Sequence, residues 1–338
     1  MRISSEQIPM QDLKSLQDAV KWFADPMHCV EAVKQMRWPD GRILCPFCSC
    51  DRRYWLAKQM RWKCAGCRKQ FTVKLGTVFE DSPIPLDKWL VAVWLIANCK
   101  NGISSYELAR HIGITQKSAW FVLHRIRFVL ANGGWPQMGG EDSGPVEIDE
   151  AYVGGKLKNM HANRRAKLKL ANRGGDHKTP VFGMLDRETR TVRAKVLKDV
   201  KRETLQAEIL REIAPGSTVY TDGATAYDDL KVREFVHETV SHYTEYVRGQ
   251  VHTQGIENFW SLLKRGLTGT YVSVEPFHLG KYVDEQVFRY NNRATKENPL
   301  NDQDRFMALL SQISGKRLTY AELTGKERET PGGEREVF

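Results

Sequence analysis

The chain has 338 residues, of which 41% are hydrophobic, enough for two or three domains with substantial cores. Its formal net charge of +10 favours a polyanionic partner, nucleic acid before a membrane surface. The longest apolar run, WLVAVWLIA at 89–97, is half the length of a bilayer span, and the N-terminus lacks the apolar stretch of a signal peptide. We therefore expect a cytoplasmic protein without a membrane partner.

Two matched pairs of cysteines follow an N-terminal helical segment at 1–36. They are Cys45 and Cys48 in CPFC, and Cys64 and Cys67 in CAGC. Paired thiolates at this spacing suit a tetrahedral, closed zinc site that braces a fold and leaves no position for catalysis. We predict a structural Zn²⁺ in a zinc ribbon at 37–82. Cys50 lies close enough to replace Cys48, so the identity of the fourth ligand stays open.

The segment 83–131 has helical periodicity. Ser104 and Glu107 form a capping box that begins one helix, Gly113 ends it, and Thr115 caps the next. Two short helices joined by a glycine turn indicate a helix-turn-helix whose second helix enters a DNA groove. A generic helical hairpin is the alternative. The glycine-rich stretch 132–145 is predicted to be a linker.

The second of these helices has an apolar stripe and a polar side. The predicted buried positions are Ala119, Val122, Leu123, Ile126 and Leu130. The positions predicted outside this stripe, and so available to DNA, are Gln116, Lys117, Trp120, His124 and Arg127.

From residue 146 onward the pattern changes to strands and helices. Two apolar runs joined at DRETR suggest an antiparallel hairpin. The full order is strand, strand, strand, helix, strand, helix, strand, helix, which predicts an α/β domain with a mixed five-stranded sheet over 146–293. This order resembles that of the ribonuclease H fold. The tail at 294–338 receives no assignment.

Three acids occupy informative places in this order. Asp149 alternates with Val146 and Ile148 on the first strand and so faces away from their packing surface. Asp222 ends the fourth strand, and Glu257 begins the last helix. In a fold of this order the first and fourth strands are neighbours and a late helix packs over them. We expect the three carboxylates to converge at one edge of the sheet.

Converging carboxylates raise one another's pKa, and divalent cations resolve the conflict. Mg²⁺ takes hard oxygen ligands, and two ions about 4 Å apart support in-line phosphoryl displacement. Any one acid alone is better explained as a surface residue; the prediction depends on their order. Alternation puts Glu147 on the side of Asp149, so it is the main rival ligand, with Glu150 on the other flank. His252 is assigned either to the site or to a turn.

Four segments resemble one protein family. They are VEIDEAYVGGK, VYTDGATAYDDL, HTQGIENFWSLLKRGLTGTY and YVDEQVFRYNNR. Together with the ribbon they resemble bacterial insertion-sequence transposases of the DDE class, in the ISXO-type group with an N-terminal zinc ribbon, from about Arg37 to Arg293. The resemblance implies an acidic triad of Asp149, Asp222 and Glu257, with Lys264 as a trailing lysine two helical turns after Glu257.

The resemblance also implies an activity. Such an enzyme binds the terminal inverted repeats of its element, cuts a DNA strand with two Mg²⁺ or Mn²⁺ ions per site, and joins the new 3′ hydroxyl to target DNA. It works as a homodimer or larger synaptic complex, associated with the bacterial nucleoid when bound to DNA. The basic stretch 154–178 is predicted to contact the DNA backbone. Trp260 is predicted to be a core residue.

Two other readings use the same residues. One is a zinc-ribbon and helix-turn-helix regulator with an inactive catalytic-like domain, which loss of an acid would support. The other is a nuclease of the same fold that resolves branched DNA or cuts RNA. The second explains the acids but leaves the ribbon and the helix-turn-helix without a role.

Overall fold

The structure is a computed structural model that describes residues 12–131, 135–140, 143–155, 162–163, 166, 178–222, 225–227, 235–240 and 251–326. They divide into two units. The N-terminal unit draws on Met1–Asn98, Ser104–Val129 and Asn301–Phe338, and the sheet unit draws on Cys99–Ile103 and Leu130–Leu300. Within the described residues, no helix is both long and apolar enough to cross a membrane. Most of the basic stretch 154–178 lies outside the described residues.

The secondary structure is numbered in chain order. The described helices are α1 Leu16–Phe23, α2 Pro26–Arg37, α3 Leu86–Asn98, α4 Ser105–Ile112, α5 Gln116–Leu130, α6 Arg202–Glu212, α7 Gln254–Arg265, α8 Leu279–Asn291, α9 Asp302–Leu310 and α10 Tyr320–Thr324. The described strands are β1 Arg53–Leu56, β2 Arg61–Cys64, β3 Gln70–Phe71, β4 Val146–Val153, β5 Thr179–Asp186, β6 Val192–Val196, β7 Thr218–Asp222 and β8 Val236–Val240.

Strands β1, β2 and β3 form a small antiparallel sheet beside the four cysteines. Its packing is aromatic, because Trp62 stands 4.8 Å from Trp55 and 5.7 Å from Phe71 between ring centroids. The cysteine sulfurs pair at 3.6 Å, Cys45 with Cys67 and Cys48 with Cys64. All four lie within 4.8 Å of one another. Tetrahedral zinc with bonds of about 2.3 Å holds its sulfurs about 3.8 Å apart, so this set fits the ion.

The two knuckles of the ribbon are built alike. The amide of Cys45 donates to the carbonyl of Cys50, and the amide of Cys64 donates to that of Lys69, each over 3.0 Å. Cys50 itself stays outside the sulfur group, since its Sγ lies 3.8 Å from the carbonyl of Arg52. The geometry therefore answers the question left open by the sequence: Cys48 belongs to the sulfur group and Cys50 does not.

Helices α4 and α5 form the predicted pair. The Ser104 hydroxyl accepts from the amide of Glu107, whose carboxylate accepts from the amide of Ser104, so the capping box is present. Gly113 ends α4 with φ of 61°, a conformation that glycine adopts without strain. Thr115 then accepts from the amide of Ser118 at the start of α5. These local signals were read correctly from the sequence.

The polar side predicted for α5 was partly wrong. His124 and Arg127 are buried, with 0% and 1% of their surface exposed. The reason is that the second half of α5 is covered on all sides, with His124 packed 4.4 Å from the ring of Trp120. Lys117 is exposed and Gln116 is half-buried. The surface that α5 leaves open is thus confined to its first turns.

The C-terminal segment completes the N-terminal unit. Phe306 of α9 is fully buried and packs 5.4 Å from Trp94 of α3 and 5.5 Å from Phe23 of α1. The amide of Val78 donates to the carbonyl of Ile313. Residues 301–326, which the sequence left unassigned, are therefore structural parts of this unit.

The sheet unit is built on a mixed sheet in which the described strands lie in the order β6-β5-β4-β7-β8. Strand β4 pairs antiparallel with β5 and parallel with β7, and β8 is parallel to β7. The predicted strand order and the neighbouring first and fourth strands are confirmed. This is the ribonuclease H-like arrangement, and it makes β4 the central strand.

The two faces of the sheet are covered by different helices. Val146 and Ile148 of β4 pack with Leu205 and Ile209 of α6 on one face. Ala151 packs with residues of α7 and α8 on the other. Alternation along β4 therefore directs Glu147 and Asp149, like Ala151, towards α7 and α8.

Zinc is expected to be essential for the ribbon. Removing it should unfold β1–β3, because binding energies of roughly 10 kcal/mol serve as folding energy in such small sites. Replacing Cys48 by Ser should abolish the bound zinc measured by elemental analysis and the near-UV signal of the ribbon tryptophans. The matched variant Cys50→Ser should keep one zinc per chain. Loss of zinc from Cys50→Ser would contradict this ligand assignment.

Candidate active site

Asp149 and Asp222 lie level on neighbouring strands. Strands β4 and β7 pair with Val146 opposite Val219 and Glu147 opposite Tyr220. The same offset, carried two residues further, sets Asp149 beside Asp222. Side chains at matching positions of parallel strands point to the same face. Both aspartates are half-buried, so the end of β7 forms an accessible edge with β4.

The indole of Trp260, on the helix that covers this face of the sheet, holds Asp149 by a hydrogen bond. Its Nε1–H donates to Asp149 Oδ2 over 3.0 Å, although the side chain is otherwise core with 4% exposed. Gly183 stands opposite Asp149 on β5, and a Cβ there would meet the Trp260 ring at 2.6 Å. The missing side chain at Gly183 therefore lets the indole lie on the sheet beside the acid.

Glu147 holds the beginning of α7 against β4. It is 1% exposed, and its Oε2 accepts from the amide of Ile256 over 2.9 Å while Oε1 accepts from Arg187 Nε over 2.6 Å. A Cβ at Gly255 would approach Oε2 to 2.8 Å, so glycine makes room for this carboxylate. Glu147 does face the same side as Asp149, but its charge is matched by an internal cation.

Glu257 lies one turn before Trp260 on the same helix. Its side chain is exposed, and Oε1 accepts from the hydroxyl of Thr253 over 3.1 Å. Glu257 is close enough to Asp149 for its negative charge to raise the pKa of that acid. Lys264 is exposed on the same helix, two turns after Glu257. Helix α7 thus has an exposed carboxylate, Glu257, near its beginning and an exposed ammonium group, Lys264, near its end.

The surroundings of Asp149 disfavour its charged form. Burial raises its pKa from 3.8 to about 6, and the charges of Asp222 and Glu257 act in the same direction. Hydrogen bonds from the amide of Glu150 and from Trp260 oppose the rise. Burial also raises the pKa of Glu150 to about 7, although a hydrogen bond from the hydroxyl of Tyr227 lowers it.

The acids are near one another without forming a tight cluster. Among the described residues, the four cysteines are the one set of three or more ligating side chains gathered within 4.8 Å. Two ions about 4 Å apart do not need such a set, because each ion takes only some of the carboxylates. Oxygen donors, partial burial and mutual repulsion fit a hard divalent cation.

His252 belongs to the network around Glu147. Arg187 Nη2 donates to both the Nδ1 and the carbonyl oxygen of His252 over 2.6 Å. Since a guanidinium can only donate, Nδ1 is the acceptor in this hydrogen bond, which leaves Nε2 as the donor of the ring. His252 therefore anchors the turn that precedes α7, the second of the two roles that the sequence allowed.

Several supporting residues escaped the sequence reading. Trp260 was interpreted as core, and its hydrogen bond to an acid 111 positions away leaves no local trace. Glycines inside a strand and inside the first turn of a helix were the available signal for Gly183 and Gly255, because such positions often mark a close approach. Arg187 lies in the hairpin turn, whose sequence indicates only the turn.

Comparison with known proteins finds relatives for both the zinc ribbon and the sheet unit. Residues 142–291 match the ISXO2-like transposase domain, and residues 25–70 match the transposase zinc-ribbon domain. Over 262 residues the chain is 33% identical to an uncharacterized protein in transposable element ISH50 of Halobacterium salinarum, covering 74% of this chain and 85% of that protein. It is also 35% identical over 101 residues to an uncharacterized transposase-like protein of Haemophilus influenzae, covering 30% and 81%.

Among solved structures, the HTLV-2 integrase catalytic core domain in complex with magnesium is similar at a TM-score of 0.30 and 12% identity, over 49% of this chain and 97% of that one. The family assignment rests on the sequence matches to the two domains and to the ISH50 protein. The chain belongs to the ISXO2-like transposases that carry an N-terminal zinc ribbon.

Proposed function

We propose that the protein binds the terminal inverted repeats of an insertion sequence, cleaves a DNA strand there, and transfers the 3′ end into target DNA. The observation that carries this proposal is the placement of Asp149 between Asp222 and Glu257. The three acids come from the central strand, its neighbour and the helix above them, and burial keeps the pKa of Asp149 near 6. A site of this kind favours cations and the phosphates that accompany them.

We assign the metal ligands to Asp149, Asp222 and Glu257, with Mg²⁺ or Mn²⁺ as the ion and two ions per site. Bound there, the ions supply charge stabilisation and a nucleophilic oxygen at neutral pH. The chain positions the reacting groups: Trp260 orients Asp149, and the Glu147 network sets the start of α7. Lys264 is placed to contact a DNA phosphate.

The N-terminal unit is assigned to recognition of the DNA ends. The zinc ribbon and the first turns of α5 are the parts that fit this role, because Lys117 is exposed there and the later turns are covered. Two ends must be joined in one event, so we infer a homodimer or larger synaptic complex. Its place of work is the DNA of the bacterial nucleoid.

The direct test is strand cleavage. Wild-type protein should nick a labelled duplex at the end of the element's inverted repeat with Mg²⁺ and not with EDTA. The Glu257→Gln variant, isosteric and uncharged, should lose at least about 100-fold in rate because a metal ligand is lost. Glu203→Gln on α6 is the matched control and should cut normally. Specific binding with no cleavage under Mg²⁺ or Mn²⁺ would instead identify a DNA-binding regulator.

Metal binding should depend on pH. Because its pKa is raised from 3.8 to about 6, folded Asp149 holds a proton more tightly than the unfolded chain does. The metal-free protein should therefore lose stability as the pH rises between these values. Mg²⁺, which competes with that proton, should raise the melting temperature by about 5 °C near pH 8 and by much less near pH 5.

Calorimetry with wild type, Glu257→Gln and Glu203→Gln checks this expectation. The shift near pH 8 should shrink in the first variant and persist in the second. An equal Mg²⁺ shift at both pH values would contradict the assignment of the ion to Asp149.

Trp260 should tune the site as well as fill the core. In Trp260→Phe the ring stays largely in place, but the hydrogen bond to Asp149 is lost, so cleavage should slow by about tenfold or more. The same bond lowers the pKa of Asp149, so the midpoint of the pH–rate profile should move upward in the variant. Phe259→Leu, an equally buried neighbour, should cost stability without moving that midpoint. If the midpoint does not move in Trp260→Phe, Trp260 contributes only to the packing of the core.

A further inference from the structure

A second, positively charged feature lies on the same face of the sheet as the acids in the sheet unit. A cleft of about 390 Å³ opens between the start of α7, the turn that joins β5 to β6, and the end of α8. We call it the basic cleft and define it by Arg187, Arg190, His252, Asn258 and Arg293, which line it together with Glu147 and Tyr290. None of these residues is used by the metal site.

The charge of the basic cleft is positive after its internal pairing is counted. Three guanidinium groups face one carboxylate, that of Glu147, which already accepts from Arg187 and from the amide of Ile256. Hydrogen bonds from its own amide and from Thr295 lower the pKa of Glu297, and the charge of nearby Arg190 acts in the same direction. His252 accepts at Nδ1 and so presents a proton donor at Nε2. Donors outnumber acceptors in the lining, which suits an anion.

Two of the three arginines are held in place by their neighbours, whereas Arg190 is exposed on the turn between β5 and β6. The guanidinium of Arg293 lies 3.9 Å from the centroid of the Tyr290 ring, and that tyrosine is 5% exposed. Asn291 ties the end of α8 to β6, since its side chain accepts from the amide of Val192 and donates to its carbonyl. Arg187 is fixed by Glu147 and His252. Less side-chain entropy is lost when such prearranged donors bind an anion.

The basic cleft and the acids share two elements. Glu147 and Asp149 lie two residues apart on one face of β4, about 7 Å along the strand. Asn258 follows Glu257 on α7. An anion in the cleft would therefore lie on the same face of the sheet as the acids, towards the beginning of β4.

From this placement we propose that the basic cleft binds a backbone phosphate of the same DNA strand that enters the acidic site. The ligand is a phosphodiester, held by Arg190 and Arg293 with the donors of His252 and Asn258 beside them. The contact sets the register of the strand and reads no base. This inference rests on the proposed function, because it takes DNA to be the substrate.

The test measures DNA affinity of the full chain against salt, with Ca²⁺ in place of Mg²⁺ and a duplex that ends in the inverted repeat. In Arg190→Gln/Arg293→Gln the affinity should fall about tenfold, and the slope of log K against log salt should flatten by about one. The double lysine variant Arg190→Lys/Arg293→Lys should restore the slope, because the charges return. Arg211→Gln on α6, at the opposite face of the sheet, should match wild type.

A second measurement locates the phosphate. Duplexes with a single neutral methylphosphonate linkage are scanned across the cleavage point. Wild type should lose affinity at one linkage beside that point, and the double glutamine variant should be indifferent there. Inorganic phosphate, added at constant ionic strength, should not remove the difference in affinity between wild type and the double glutamine variant. If it removes that difference, the cleft is a site for free anions.

The outcomes separate the two proposals. If wild type binds the duplex and the double glutamine variant has the same slope and the same linkage profile, the basic cleft is wrong and the transposase proposal stands. An equal loss in Arg211→Gln also overturns the cleft, since it would reveal only general charge. If wild type binds no DNA at all, the proposed function fails first, and the cleft proposal fails with it.

Discussion

The packing of α7 against β4 is the constraint on which the rest of the sheet unit depends. Two acids of the central strand make that contact. Glu147 accepts a hydrogen bond from the amide of Ile256, and Asp149 accepts one from the indole N–H of Trp260. A buried carboxylate is costly unless its hydrogen bonds and charge are matched, so the helix can take few other positions. Glu257 is carried by the same helix, and its distance from Asp149 follows from this packing.

The two acids of β4 have opposite electrical roles. Glu147 is matched by the cation of Arg187, whereas Asp149 receives hydrogen bonds from two uncharged donors, Trp260 and the amide of Glu150. The helix can therefore be held before any ion arrives, because the permanent pair supports it. Asp149 has no such cation among the described partners that hold it, and its pKa is raised. A matched and an unmatched carboxylate thus lie two residues apart on one strand.

Sequence signals predicted those structural features that depend on residues close together in the chain. The capping box at Ser104 and the glycine end of α4 depend on residues a few positions apart, so they were predictable, and the order of the strands followed from the resemblance of the element order to a known fold. The partners of Glu147 lie 40 and 109 positions away, and periodicity cannot reveal them. His124 was misread for the same reason: a polar residue on a helix is expected outside unless distant packing covers it.

Residues 301–326 belong to the N-terminal unit, so the sheet unit is an insertion within the sequence of that unit. Phe306 fills a place between Trp94 and Phe23, which are synthesised more than 200 positions earlier. A chain emerging from the ribosome can therefore finish its sheet before the first unit has its complete core. The unit that begins synthesis first is therefore the last of the two to complete its core.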